Sequence, residues 1–215
     1  MNAVLEALEF RHACKKFDPA RTIPEETIRE IMRAAHISPS SFGLQPWKFL
    51  VVSDRALREE MRPLCWNQAQ ITDCSHLVVI LTRREKSMNP DSDYITRVLE
   101  SRGFSGDRLE DSRRRYEGYV WDELLPHMNI YAWASKQCYI ALADIMAAAA
   151  AAGVDSCPIE GFSKSGLDHF LHKKLPQEMT GDLSVAVVCA LGYRHPDWQQ
   201  PERKRLPYDE VVRFL

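Results

Sequence analysis

Apolar positions recur at helical spacing over residues 3–10, where Val4, Leu5 and Leu8 share one face. A second amphipathic run, Ile28, Ile31, Met32 and Ala35, follows Pro24, a residue tolerated at a first helical position. Glu25 and Glu26 suit the positive end of that helix. Ser38-Pro39-Ser40-Ser41-Phe42-Gly43 favours turns and breaks the pattern into a loop. Trp47 to Val52 then predicts a strand, Asp54 the cap of another helix, and Leu77 to Thr82 a second strand. The longest periodic segment is Tyr131 to Ala152. Ala134, Cys138, Leu142, Ile145, Met146 and Ala149 line one stripe, and Gly153 ends it. The alanines from 147 to 152 permit close packing on more than one side, as in a central core or subunit-interface helix. Ser163 to Leu175 predicts a further helix. Leu183 to Leu191 predicts a strand buried on both faces.

Two stretches break this order. Residues 85–126 hold 17 charged residues in 42, including Arg113-Arg114-Arg115, and predict a solvated helical excursion or a lid. A nucleic-acid patch is the weaker alternative, because acids are interspersed among the bases. Residues 195–215 predict an extended arm closing on a short strand, with a basic cluster at Arg203-Lys204-Arg205.

Composition narrows the class. With 215 residues, 45% hydrophobic and 27% charged, the chain reads as a single folded domain, residues 1–215, and not as a disordered polymer. A formal charge of -2 gives no general attraction to nucleic acid or anionic membranes. The first ten residues carry acids and lack the apolar core of a signal peptide. The stretch from Cys138 to Val154 is too short and alanine-rich to span a bilayer, which takes about 20 apolar residues. Six cysteines, at 14, 65, 74, 138, 157 and 189, form no C-x-x-C pair and suit reduced thiols in a cytoplasmic protein. His169 and His172 stand three apart, but no third ligand follows at metal-site spacing, so no metal is expected. Dinucleotide glycine fingerprints, Walker loops, nucleophile elbows and H-E-x-x-H are all absent from the sequence.

Four segments carry polar groups that a core does not need. Arg11-His12 with Lys15-Lys16 follows the first helix, and Ser38 to Gln45 is a hydroxyl-bearing loop leading to Pro46-Trp47. Pro158-Ile159-Glu160-Gly161-Phe162 reads as a tight loop, and Arg203-Lys204-Arg205 lies near the C-terminus. Two basic clusters with a Ser/Gly loop suit a phosphate-bearing ligand, since guanidinium forks bind phosphate bidentately and loop amides complete the shell. Taken singly, each cluster also reads as a solvated surface feature.

In this order the four segments resemble the nitroreductase family of FMN-dependent oxidoreductases, closest to its oxygen-insensitive nitroreductase and dihydropteridine reductase branch. The most specific elements are S-P-S-S running to Q-P-W and P-I-E-G-F between two helices. The resemblance implies an α+β, three-layer fold with a mixed sheet flanked by helices, and an intertwined homodimer with two FMN sites at the interface. It implies that Arg11, Arg203 and Arg205 hold the FMN phosphate with His12 and Ala13 beside it, and that Lys15 lies near the flavin pyrimidine edge. Pro39, Ser40 and Ser41 would come from the other subunit, and Asn67 and Gln70 would face the isoalloxazine. Pro158, Ile159, Glu160 and Gly161 would line the ring, with the Glu160–Gly161 backbone toward its N5 and O4 edge. No side chain is expected to be catalytic. Hydride would pass from NADH or NADPH through the flavin to a nitroaromatic, quinone or related planar acceptor in a ping-pong cycle. Two positions depart from the family pattern: Ala13 replaces a usual serine, and Gln70 replaces a common lysine. The alternatives are a flavin-binding relative with another activity, such as flavin breakdown or dehalogenation, and a non-enzymatic phosphate-ligand-binding protein. Nucleic-acid and membrane partners are not expected.

Overall fold

The computed structural model describes residues 2–215. Helices α1 (Ala3–Phe10) and α2 (Glu25–His36) precede strand β1 (Trp47–Val52). Then come α3 (Arg55–Met61), α4 (Gln70–Asp73) and β2 (His76–Arg83). Helices α5 (Asp93–Ser101), α6 (Gly106–Gly118) and α7 (Ile130–Ala151) lead to β3 (Asp155–Ile159), α8 (Lys164–Lys174), β4 (Leu183–Gly192) and α9 (Tyr208–Val211). Local chemistry sets many of the boundaries. Asp54 caps α3 by accepting from the Ala56 and Leu57 amides, and Ser163 caps α8 through the Gly166 amide. Gly153, at φ 70°, ends α7 in the left-handed conformation that glycine adopts without a Cβ penalty.

The four strands pair in the order β1-β2-β4-β3, every pair antiparallel. β2 and β4 lie in the middle and are apolar on both faces because helices cover both. Leu77, Val79 and Leu81 face one core with residues of α3, α4 and α8, whereas Val78 and Ile80 face another with α2 and α7. A register shift after Ile80 leaves Ala186 as the extra residue of β4, so Ala186 and Val187 pack on the same side. The result is an α+β fold in three layers. The mixed sheet implied by the resemblance is reduced here to antiparallel strands plus one parallel bridge, Ala13 to Ser156.

The charged stretch is helical, but it is more than a solvated excursion. Met88, Ile95, Leu99, Leu109, Tyr116 and Val120 form a third core against Trp133 and Ala134 of α7. Each such buried side chain stabilises the packing by about 1.5–3 kcal/mol. Its few aliphatic residues fall on one side of each helix, which a charge count conceals. A second correction concerns the arm, whose end is the helical turn α9 and not a strand. Pro207 precedes that turn, and Asp209 and Glu210 occupy its first residues, where acids favour a helix start.

Candidate functional site

β3 is an edge strand, and its free side receives the segment after α1. Ala13 bridges Ser156, and the Cys14 amide donates to the Ser156 carbonyl at 3.0 Å. The Lys15 ammonium consequently reaches the Cys157 thiol at 3.4 Å. Burial pushes the Cys157 thiol up, and Lys15 opposes that shift. The sequence reading took residues 158–162 for a loop; Pro158 and Ile159 instead belong to β3. Proline is compatible with an edge strand, whose outer amide needs no sheet partner.

The bridge is held from behind by a network that sequence reading missed. Asp155 is buried and accepts from the Arg194 guanidinium at 2.7 to 3.0 Å and from the Arg194 amide at 2.8 Å. His12 lies beside them, its Nδ1 3.7 Å from Asp155. The Trp198 indole donates to His12 Nε2 at 3.0 Å, and the two rings lie within 11° of parallel. Burial first, and Arg194 second, lower the His12 pKa, and the Trp198 bond makes Nε2 the ring's acceptor. His12 is thus a buried support, bonded by Trp198, while its Nδ1 faces Asp155 without a hydrogen-bond partner among the described residues. No local motif marks Asp155, Arg194 and Trp198, because their meeting depends on the β3–β4 pairing.

The arginines converge at the end of α1. Arg203 donates to the carbonyls of Leu8 at 2.9 Å and Glu9 at 3.0 Å, and also to that of Arg11. The Arg11 pKa is lowered by burial and then by the charges of Arg203 and Arg205. None of the three arginines forms an ion pair with a carboxylate among the described residues. Three like charges held together without an acid define an electropositive corner that an anion would relieve.

A second unit forms at the far end of β3. Gln68 Nε2 donates to the Gly161 carbonyl at 2.8 Å, and the Ser163 amide to the Leu64 carbonyl at 2.7 Å. Trp66 and Asn67 both adopt positive φ, 52° and 53°, a conformation that costs non-glycine residues energy and often persists at functional sites. Trp66 is 72% exposed, and its ring crosses Gly161 so closely that a Cβ there would come within 2.7 Å of it. Gln70 is buried at the start of α4. Tyr139 of α7 donates to the Glu160 carboxylate, and burial together with that contact raises the tyrosine pKa. Sequence reading missed Trp66, although its position beside Asn67 was a usable signal.

The hydroxyl loop is fastened elsewhere. Ser38 Oγ donates to Asp144 at 2.6 Å, the Ser41 amide to Gln137 at 2.9 Å, and the Gln45 amide to Ser40 Oγ at 2.9 Å. Pro39 is exposed, and Ser40 and Ser41 are half-buried. The loop's side-chain anchors are on α7, while Arg11, Lys15 and Glu160 gather along β3. The structure therefore unites the Arg11, Lys15, Gly161 and Asn67 segments along one strand edge and sets the serine loop apart from them.

Known proteins share this fold. Residues 8–193 match the model of the nitroreductase family. The YfkO protein of Bacillus subtilis (strain 168), whose name assigns it to the NAD(P)H nitroreductases, is 38% identical over 99% of this chain and 97% of its own. A nitroreductase-like protein from Streptococcus mutans superposes with a TM-score of 0.82 at 19% identity, covering 100% of this chain and 99% of that one. A nitroreductase structure from Exiguobacterium sibiricum, in complex with FMN, gives a TM-score of 0.75 at 20% identity, covering 98% and 96%. The family match over residues 8–193 and a relative 38% identical along almost its whole length agree with this fold, and the chain belongs to the nitroreductase family.

Proposed function

We propose that the protein is an FMN-dependent oxidoreductase that takes hydride from NADH or NADPH and reduces small planar acceptors, nitroaromatics and quinones among them, in a ping-pong cycle. The observation that carries this reading is the arginine corner, which has no carboxylate partner among the described residues and is joined by β3 to Lys15 and Gly161. The residues fit the cofactor. A phosphate dianion answers the charge of Arg11, Arg203 and Arg205, and charge-assisted bonds of this type are worth about 1.5–3 kcal/mol each. The missing side chain at Gly161 leaves room for the exposed Trp66 ring, which lies across that position beside the candidate ring site. FMN, when bound, supplies the two-electron hydride chemistry that no side chain provides.

Around it, the chain's own groups bind and orient. Lys15 brings a positive charge to the pyrimidine side, and Asn67 with the buried Gln70 bounds the ring. Ala13 offers the phosphate no hydroxyl, which leaves the arginines to hold it. The Glu160–Gly161 peptide faces the reactive edge, and the Tyr139 hydroxyl steadies Glu160. Pro39, Ser40 and Ser41, anchored on α7, reach the site of a second copy.

That homodimer is supported by apolar side chains without cover in one chain: Val4 and Leu5 on α1, and Leu206, Val211 and Phe214 on the arm. A cytoplasmic setting is supported by six cysteines that are all free and buried. Purified protein should carry the yellow flavin spectrum and bleach anaerobically with NADH or NADPH. A protein that stays colourless after incubation with FMN overturns the proposal. Light scattering should give twice the chain mass, and a folded, FMN-loaded monomer at micromolar concentration overturns the dimer.

A further inference from the structure

A cleft of about 640 Å³ opens between the end of β2 and the start of α5, apart from the β3 edge. Small-ligand sites span roughly 300–1,000 Å³, so its size suits a metabolite or part of a nucleotide. Arg83, Lys86 and Arg97 line it, with Ser87 and Ser92. Arg83 and Arg97 both lie against Tyr94, their guanidinium carbons 3.7 and 5.6 Å from the ring centroid. Neither arginine has a carboxylate at ion-pair distance among the described residues, and Arg83 Nε is buried without a hydrogen-bond partner. Some arginines of the same segment do find acids. Arg84 pairs with Glu85 at 3.4 Å, Arg113 with Asp91 at 3.9 Å, and Arg114 with Asp111.

Two acids, Asp93 and Asp182, line the cleft beside its three bases and offset part of their charge, which leaves it net positive. Asp182 accepts from the Lys86 backbone amide at 2.7 Å, and Asp93 stands in the first turn of α5, where its charge complements the helix dipole. Ser92 caps that helix and directs its positive end toward the same space. We propose that this cleft binds the phosphate group of a small molecule, with Arg83 and Arg97 as paired forks and the Lys86 ammonium and serine hydroxyls completing the shell. Two sources share this chemistry, a free phosphorylated metabolite and the 2′-phosphate of a nicotinamide nucleotide. Tyr94 also donates to the carbonyls of Leu44 and Gln45. An occupant would thus sit one side chain away from the Ser40–Gln45 loop.

The test is calorimetric titration of FMN-saturated protein, in which the Arg11, Arg203 and Arg205 corner is already filled. The probes are inorganic pyrophosphate, 5′-AMP and 2′,5′-ADP. One saturable site per chain is expected. Arg97→Met, at an exposed position, and Arg83→Met should each weaken it at least tenfold. Arg213→Met, an exposed arginine on the arm, should leave it unchanged. Preference for 2′,5′-ADP over pyrophosphate and 5′-AMP assigns the nucleotide, and pyrophosphate binding as well or better assigns the free metabolite. No saturable heat at millimolar probe, or equal weakening in all three variants, overturns the site. Should the protein take no FMN, pyrophosphate binding lost in Arg97→Met but kept in Arg205→Met would still identify the cleft.

Discussion

Asp155→Asn probes the part of the site that is held by a buried charge. Asp155 is 4% exposed and takes hydrogen bonds from the Arg194 amide and guanidinium, while the Arg194 side chain is 31% exposed. Asparagine keeps the shape, removes the charge and presents a donor to a donor. Removing one partner of a buried pair costs about 3–5 kcal/mol, and water at Arg194 places this pair near the lower end, about 3 kcal/mol. For a domain of roughly 150–250 residues, each kcal/mol shifts Tm by about 2–4 °C, so a fall of about 6–12 °C is expected. The loss should appear in urea titrations at pH 7.5 with FMN fixed at one saturating concentration, because a bound ligand adds to apparent stability. Arg194→Met strands a buried carboxylate and should cost at least as much. The double variant should recover part of the loss, a coupling of about 0.5–3 kcal/mol. A loss below about 1 kcal/mol with an unchanged denaturant slope, or strict additivity of the two changes, would show that the pair does not hold the Ala13–Ser156 bridge in place.

Three further perturbations test separate parts of the argument. Gln137→Leu removes the acceptor for the Ser41 amide, and an unmet amide costs about 1–3 kcal/mol, so FMN affinity by fluorescence titration should fall about tenfold. Unchanged affinity refutes the loop's role. Lys15→Met should lower the two-electron potential at full FMN occupancy, where about 30 mV corresponds to roughly 1.4 kcal/mol, and an unshifted value in dye-equilibrated potentiometry leaves Lys15 a mere neighbour of Cys157. Burial lowers the pKa of both His12 and His76 below the ordinary histidine value, near 6.5, with Arg194 and Arg58 adding to it. Their contribution is therefore complete above about pH 6.5 and is lost as pH falls through the folded-state values. The urea midpoint should drop between pH 7.5 and 5.5, and a His12→Asn protein with an undiminished drop would exclude His12 as a source.

Local pattern was sufficient for the elements whose reason is local. The expected spans of α1 and β1 coincide with the observed ones, and Asp54, Ser163 and Gly153 mark real helix ends. Period and capping act between residues a few positions apart, so the chain carries that information in order. The four chemical segments were legible for the same reason, as short runs of unusual composition. What lay beyond reach depends on pairing across the chain. β3 is short, begins with an aspartate and contains a proline, and it becomes a strand because β4 and the Ala13 segment flank it. The core under the charged helices was hidden by their average composition, since burial is decided by which face meets α7. Asp155, Arg194 and Trp198 meet His12 only once that sheet has formed, and Arg203 reaches Glu9 of α1 across 194 positions of sequence. The sequence by itself determined which residue types and turns were available, because those act over a few residues. Only the tertiary structure decided which charges stand together unpaired, because that depends on the distances folding creates.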